Sequence, residues 1–361
     1  MSSLTQLSDA GVSIWLDDLS RERLQSGSLK KLIEDSSVVG VTTNPSIFSA
    51  AISGSSLYKQ DILALRAERL STAEIVTELT TSDVREACDL FHGEFLHSNQ
   101  VDGRVSIEVD PRLAYNTTDT IAQAKQLWSI VNRPNLLIKI PATKDGLPAI
   151  EEVIAQGISV NVTLIFSVER YIEVMDAYLR GLERRVINNL PIHNIHSVAS
   201  FFISRIDTDI DKKLDSLAQG DSLRGKAALA NARIAYEAYE NVLQSQRWQK
   251  LAALGGHMQR PLWASTGVKD PAYDKALYVT ELVAPQCVNT MPEATLDATR
   301  NAAIPLNSIT GTYASSHAIL QQIKAVGIDF TAVVNHLEED GVAKFEKAWV
   351  DLLAAVDAVS E

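Results

Sequence analysis

The sequence predicts an α/β chain whose eight strand–helix units close into a barrel, with extra helices inserted and appended. Three observations point there. Short apolar runs rich in β-branched residues alternate with longer amphipathic stretches. No hairpin-type dipeptide joins one run directly to the next, which argues for parallel strands. The runs number eight along 361 residues, as a (β/α)8 barrel of the TIM type requires.

In chain order the strand runs are 13–17 (Ser-Ile-Trp-Leu-Asp), 38–42 (Val-Val-Gly-Val-Thr), 105–109 (Val-Ser-Ile-Glu-Val), 136–140 (Leu-Leu-Ile-Lys-Ile), 159–163 (Ser-Val-Asn-Val-Thr), 197–201 (Ser-Val-Ala-Ser-Phe), 262–265 (Leu-Trp-Ala-Ser) and 287–290 (Cys-Val-Asn-Thr). Helical spacing is read over 82–96, 121–131, 147–155, 168–188 and 225–243. Two connections, 44–104 and 202–261, are long but helical in pattern, so extra helices are expected there. The tail places Phe345, Trp349, Leu352, Leu353 and Val356 at helical spacing, as a C-terminal helix packed on the barrel. The rival, an open doubly wound sheet, is disfavoured because no GxGxxG or GxxxxGK[ST] loop follows the first strand. With no internal repeat, low-complexity segment or clear boundary, residues 1–361 are expected to form a single domain.

An apolar fraction of 46% supports a large core, and a net charge of −12 argues against a general nucleic-acid surface. An anionic ligand would then need a few basic groups gathered in a pocket. The two cysteines, Cys88 and Cys287, are far apart and form no disulfide framework or CxxC knuckle. The N-terminus shows no secretory pattern, and no run approaches the roughly 18 apolar residues of a membrane span. A soluble, cytoplasmic chain is expected, as a monomer or homodimer. No metal site is expected: the seven histidines form no HExxH or clustered pattern. His92 and His97 read as surface residues, His193 and His196 as structural ones.

Side chains in a strand alternate faces. Asp17 therefore shares a face with Trp15, Glu108 with Ser106, Lys139 with Leu137, Asn161 with Thr163, and Ser200 with Val198 and Phe202. Each polar residue stands near the C-terminal end of its strand, the end that forms the mouth of a barrel. Lys139 lies in an apolar run, where desolvation lowers an amine's pKa and leaves it neutral enough to attack a carbonyl. Position alone leaves open a rim lysine that snorkels to water. Glu108 and Asp17 nearby favour chemistry, because Schiff-base formation needs proton shuttles, although Glu108 could also serve as a structural partner of Lys139. Thr163 and Asn161 either orient water and a substrate hydroxyl or satisfy strand ends locally. Arg205 and Lys269 follow the sixth and seventh strands, near the usual phosphate corner, and are candidate phosphate ligands.

Val41-Thr42-Thr43-Asn44-Pro45-Ser46 makes a Thr-Thr-Asn-Pro turn after the second strand, and Ile138-Lys139-Ile140-Pro141-Ala142-Thr143 surrounds the lysine. With residues 105–110, 161–167, Ser265 and its turn, and Trp15-Leu16-Asp17-Asp18-Leu19-Ser20, these resemble in order and spacing the motifs of the transaldolase family, in its longer bacterial form. The resemblance runs from about Trp15 to at least Pro292. It implies that Lys139 forms an imine with a ketose phosphate, without metal or cofactor. It implies that Asp17 takes a proton during carbon–carbon cleavage, and that Glu108 and Thr163 position the water of imine formation. Asn44, Asn161 and Ser200 would hold the dihydroxyacetone unit, and Arg205 and Ser265 the phosphate. The implied reaction moves dihydroxyacetone from sedoheptulose 7-phosphate to glyceraldehyde 3-phosphate, giving erythrose 4-phosphate and fructose 6-phosphate. Where small members that release free dihydroxyacetone carry tyrosine, this sequence has Phe202, which favours transfer. Many members carry a second phosphate arginine after Ala-Ser-Phe; here the loop reads Ala264-Ser265-Thr266-Gly267-Val268-Lys269, and Lys269 is the candidate substitute.

Overall fold

A computed structural model describes residues 2–217 and 221–360. Eight parallel strands, β1 (Val12–Leu16), β2 (Val38–Val41), β3 (Arg104–Glu108), β4 (Leu136–Pro141), β5 (Val160–Ile165), β6 (Ser197–Phe202), β7 (Arg260–Ala264) and β8 (Cys287–Met291), pair in sequence order, and β8 returns to β1. The expected (β/α)8 barrel is therefore the observed one. Strand β7 runs two residues further back than expected, through Pro261, which pairs with Ala199. Proline lacks the N–H a ladder uses and is confined to strand ends and bulges; here it is the second residue, at the barrel's N-terminal rim.

The long connections are helical. Helices Pro45–Gly54, Lys59–Ala67, Thr72–Leu90 and His92–His97 fill the first, and Ser204–Leu214, Ala227–Leu243 and Gln246–Ala253 the second. The helix expected at 82–96 begins ten residues earlier and breaks at Phe91. Its start is fixed by a capping box, in which Ser71 accepts from the Glu74 N–H while the Glu74 carboxylate accepts from the Ser71 N–H. The C-terminal helix Phe330–Asp357 is one 28-residue rod. It buries Phe345, Trp349, Leu352 and Val356, and Arg66 donates to the carbonyls of Val356 in its last turn and of Val359 just beyond its end. No helix among the described residues is long and apolar enough to cross a membrane.

The barrel interior is filled in layers. In the middle layer Asn161 Nδ2 donates to Ser106 Oγ across the barrel (3.0 Å), and Ser200 Oγ donates to Asn161 Oδ1 (2.7 Å). Beside them the fully buried Trp15 ring lies against Gly40, where an added Cβ would fall 2.6 Å from the indole. Backbone and ring are both held by closed-barrel packing, so Gly40→Ala is expected to cost about 1–3 kcal/mol through overpacking. Urea unfolding reads this directly; an unchanged midpoint at unchanged slope would contradict it.

Candidate active site

The strands' C-terminal ends open into a cavity of ≈ 520 Å³ whose lining includes Asp17, Thr42, Asn44, Lys139, Thr163, Ser200, Phe202, Arg205 and Ser265. Lys139 stands in β4, register-paired with Glu108 on β3 and Asn161 on β5. The lysine is only 4% exposed. Its Nζ lies 3.2 Å from Glu108 Oε2 and donates to the Thr43 carbonyl at 3.1 Å. The approach to Glu108 is at ion-pair distance without full hydrogen-bond geometry, so both carboxylate oxygens are buried with no hydrogen-bond donor from the protein. Thr163 Oγ1 is likewise buried and unpartnered. Thr163 lines the main cavity, whereas Glu108 stands just off it, in the lining of a much smaller neighbouring cavity with Thr43, Asn44 and Ile107. Burial is the largest influence on Glu108 and pushes its carboxyl up to about 7, against the opposing pull of Lys139.

Asp17 follows β1 and accepts from Thr42 Oγ1 at 2.7 Å; Thr42 in turn meets Thr290 Oγ1 at 2.6 Å. Desolvation raises the Asp17 carboxyl above its ordinary value, and Lys139 pulls it back. A carboxyl raised by burial and held by one hydroxyl is suited to exchanging a proton with a substrate hydroxyl. Asn44 is placed by local rules: its Oδ1 caps the helix that starts at Pro45, accepting from the Ile47 N–H at 3.1 Å, which leaves its Nδ2 for the cavity.

Arg205, on the helix after β6, has its guanidinium carbon 5.0 Å from the Phe202 ring centroid and 5.9 Å from that of Phe345. Among the described residues it has no salt bridge within 4 Å and its buried Nη1 has no partner, and burial lowers its pKa. A cation left without a carboxylate at a pocket wall is a ready anion anchor. Ser265 sits beside it in the left-handed region (φ 55°), Oγ 3.0 Å from Ser204 Oγ.

Not every expected residue reaches the cavity. Asn161 is fully buried one layer below, tied to Ser106 and Ser200. Lys269 lines a neighbouring cavity with Asp207, Asp211, Arg224 and Tyr273. Other residues do reach the mouth. Thr42 and Thr290 follow the same rule as the predicted ones, polar groups at strand ends, and that rule could have found them. Phe345 comes from the C-terminal helix, with its ring centroid 5.6 Å from Lys139 Nζ; periodicity identified it as packing but could not show what it packs on. Among the described residues no group of three or more His, Cys, Asp or Glu is arranged to hold a metal.

The fold and this constellation define a (β/α)8-barrel enzyme built around a buried amine. The family described as Transaldolase/Fructose-6-phosphate aldolase matches residues 14–356, and the chain belongs to that family. It is 58% identical to Transaldolase 1 of Streptomyces avermitilis over 359 residues, covering 99% of this chain and 95% of that one. It is 58% identical to the transaldolase of Mycolicibacterium smegmatis (98% and 96% covered) and 56% identical to that of Saccharopolyspora erythraea (98% and 97%).

Proposed function

We propose that this chain works as a transaldolase, moving a dihydroxyacetone unit from sedoheptulose 7-phosphate to glyceraldehyde 3-phosphate in the non-oxidative pentose phosphate pathway. The observation that carries the reading is the buried Lys139 amine at the mouth, 3.2 Å from Glu108 and sharing its cavity with the unpaired Arg205. Arg205 and Ser265 hold the phosphate, and Asn44 and Ser200 hold the transferred hydroxyls. Asn161 acts from below by fixing Ser200. Lys139 Nζ adds to the ketose carbonyl, and Glu108 with Thr163 positions the water lost on imine formation. Asp17 takes the proton of the C4 hydroxyl as the C3–C4 bond breaks. The bond electrons pass into the iminium, giving an enamine that attacks the acceptor aldehyde. Lys269 is a second phosphate contact only if its side chain swings across from the adjoining cavity.

The family also includes fructose-6-phosphate aldolases. The apolar ring of Phe202 at the cavity wall supports transfer, because it offers no phenol to protonate the enamine through water. We place the enzyme in the cytoplasm, as a monomer or homodimer; its two cysteines, Cys88 and Cys287, are buried and unpaired. Borohydride trapping with fructose 6-phosphate is expected to give a reduced adduct that maps to Lys139, and turnover is expected only when an acceptor aldehyde is present. An adduct on another lysine would overturn the mechanism. Free dihydroxyacetone without acceptor would identify an aldolase instead.

A further inference from the structure

We propose that the opposite, N-terminal end of the barrel binds a compact inorganic anion such as chloride, held between Arg104, Arg260 and His196. The lowest inward-facing layer of a barrel of this type is ordinarily filled by branched apolar side chains. Here Arg104 opens β3, Arg260 opens β7 and His196 immediately precedes β6. They surround a cavity of ≈ 70 Å³, completed by Leu137, His257 and Gln286. The three are 1%, 8% and 7% exposed, so their polar groups are withdrawn from bulk water.

The charges of this layer do not balance. Its one carboxylate, Asp102, accepts from Arg260 Nη2 at 2.9 Å, and also from Ser13 Oγ (2.7 Å) and Trp15 Nε1 (3.3 Å). Among the described residues Arg104 makes no salt bridge; the charge of Asp102 reaches it, but the Asp102 oxygens are taken by Arg260, Ser13 and Trp15. Arg104 donates to the carbonyls of Pro134 and Gln100 and lies over the Phe95 ring at 5.0 Å, while its Nε is buried with no acceptor. Burial first, and the charge of Arg260 second, push its pKa down to about 9. A buried cation without a counter-charge is costly, and an anion removes that cost.

His196 supplies the third group. Its Nε2 is buried with no partner, and its ring stacks on His257 at 4.1 Å. Desolvation and the nearby Arg104 charge hold its pKa far below the ordinary histidine value, so the ring stays neutral. In the tautomer protonated at Nε2 it donates a hydrogen bond without adding charge. Size selects the ligand: the cavity is several times the roughly 10–15 Å³ one water needs, and far smaller than the catalytic cavity. Sugar phosphates are excluded, and the site shares no lining residue with the catalytic cavity.

The test is thermal unfolding of the whole chain as chloride replaces gluconate at constant ionic strength. The midpoint is expected to rise in proportion to the logarithm of chloride once chloride exceeds the dissociation constant; at a hundred times that constant the folded-to-unfolded ratio is multiplied about a hundredfold. Arg205→Ala, which removes the cation of the catalytic mouth, should keep the rise, whereas Arg104→Met and His196→Phe should lose it. Line broadening of the chloride NMR signal by the folded protein reads the same site directly, and stands with His196→Phe if Arg104→Met does not fold. A wild-type midpoint indifferent to chloride with no line broadening, or a rise of equal size in His196→Phe, means that water alone fills the cavity and overturns the assignment.

Discussion

Replacing Lys139 with methionine is expected to lower kcat/KM by on the order of 10⁴-fold or more while the barrel still folds. Among the described residues, the side chain removed is the only amine that lines the main cavity. Without it no imine forms, and the acidic and hydroxylic groups around it have nothing to act on. Methionine has nearly the same length and takes the same inward-facing position against Phe345. Its electrostatic effect falls on Glu108. The lysine is what opposes the upward push of burial on that carboxyl, so in its absence Glu108 climbs further and is protonated at neutral pH. Protonation removes the otherwise severe cost, about 3–5 kcal/mol, of leaving half of a buried ion pair charged. Circular dichroism and urea unfolding establish the fold, and a coupled assay reads the rate. Lys139→Arg separates charge from nucleophile, since a guanidinium restores a cation beside Glu108 but cannot form the imine; it too should be inactive. A folded Lys139→Met enzyme with more than a small residue of activity would refute covalent catalysis by this lysine.

Much of the fold was legible because each strand carries its own signal. Runs such as Val105 to Glu108 or Leu136 to Ile140 are too short for helices and too β-branched for loops, and eight of them without hairpin links leave few topologies open. What was misplaced depended on information outside the run. Strand β7 continues through Pro261 because closure of the barrel supplies neighbours that outweigh one missing donor. The helix at Thr72 was begun late because its N-terminal turn, Ser71 to Glu74, is polar and exposed; the signal there was the capping box rather than apolar periodicity.

The site is legible to the extent that it obeys strand alternation. Asp17, Glu108, Lys139, Thr163 and Ser200 are all inner-face residues near strand ends, and a period of two places them without knowledge of the barrel. Asn161 obeys the same rule one step lower, and alternation alone does not distinguish the top layer from the one beneath. Lys269 lies in a loop, where no period applies, and its backbone leads into the adjoining cavity. Phe345 is the opposite case: its periodicity is clear, but only the packed structure brings a residue more than two hundred positions away in sequence within 5.6 Å of the lysine. Arg104 was not singled out in the sequence and His196 read only as structural, because a polar layer at the barrel's base violates the usual filling rule.

Glu108→Gln is the second substitution expected to have a large effect, lowering kcat/KM by about 10²–10⁴-fold and changing its pH dependence. Burial holds the Glu108 carboxyl at about 7, Lys139 notwithstanding, so near neutrality the side chain loses its proton as pH rises. As pH falls below about 7, Glu108 takes up a proton and no longer offers a base beside the Lys139 amine. The rate should therefore fall on the acid side through an apparent pKa near 7. Glutamine keeps the volume but cannot ionise, so that limb should vanish along with most of the rate. Stability gives an independent reading with a definite sign. Because the folded pKa lies above the ordinary 4.5, the folded state binds more protons across that interval. This group's contribution is complete below about 4.5 and is lost as pH rises through about 7. Urea midpoints measured from pH 4.5 to 8 should thus decline less steeply in Glu108→Gln than in the wild type. If the acid limb persists unchanged in the variant, the proton it reports belongs to another group, with Asp17, raised by the same burial, the first to examine.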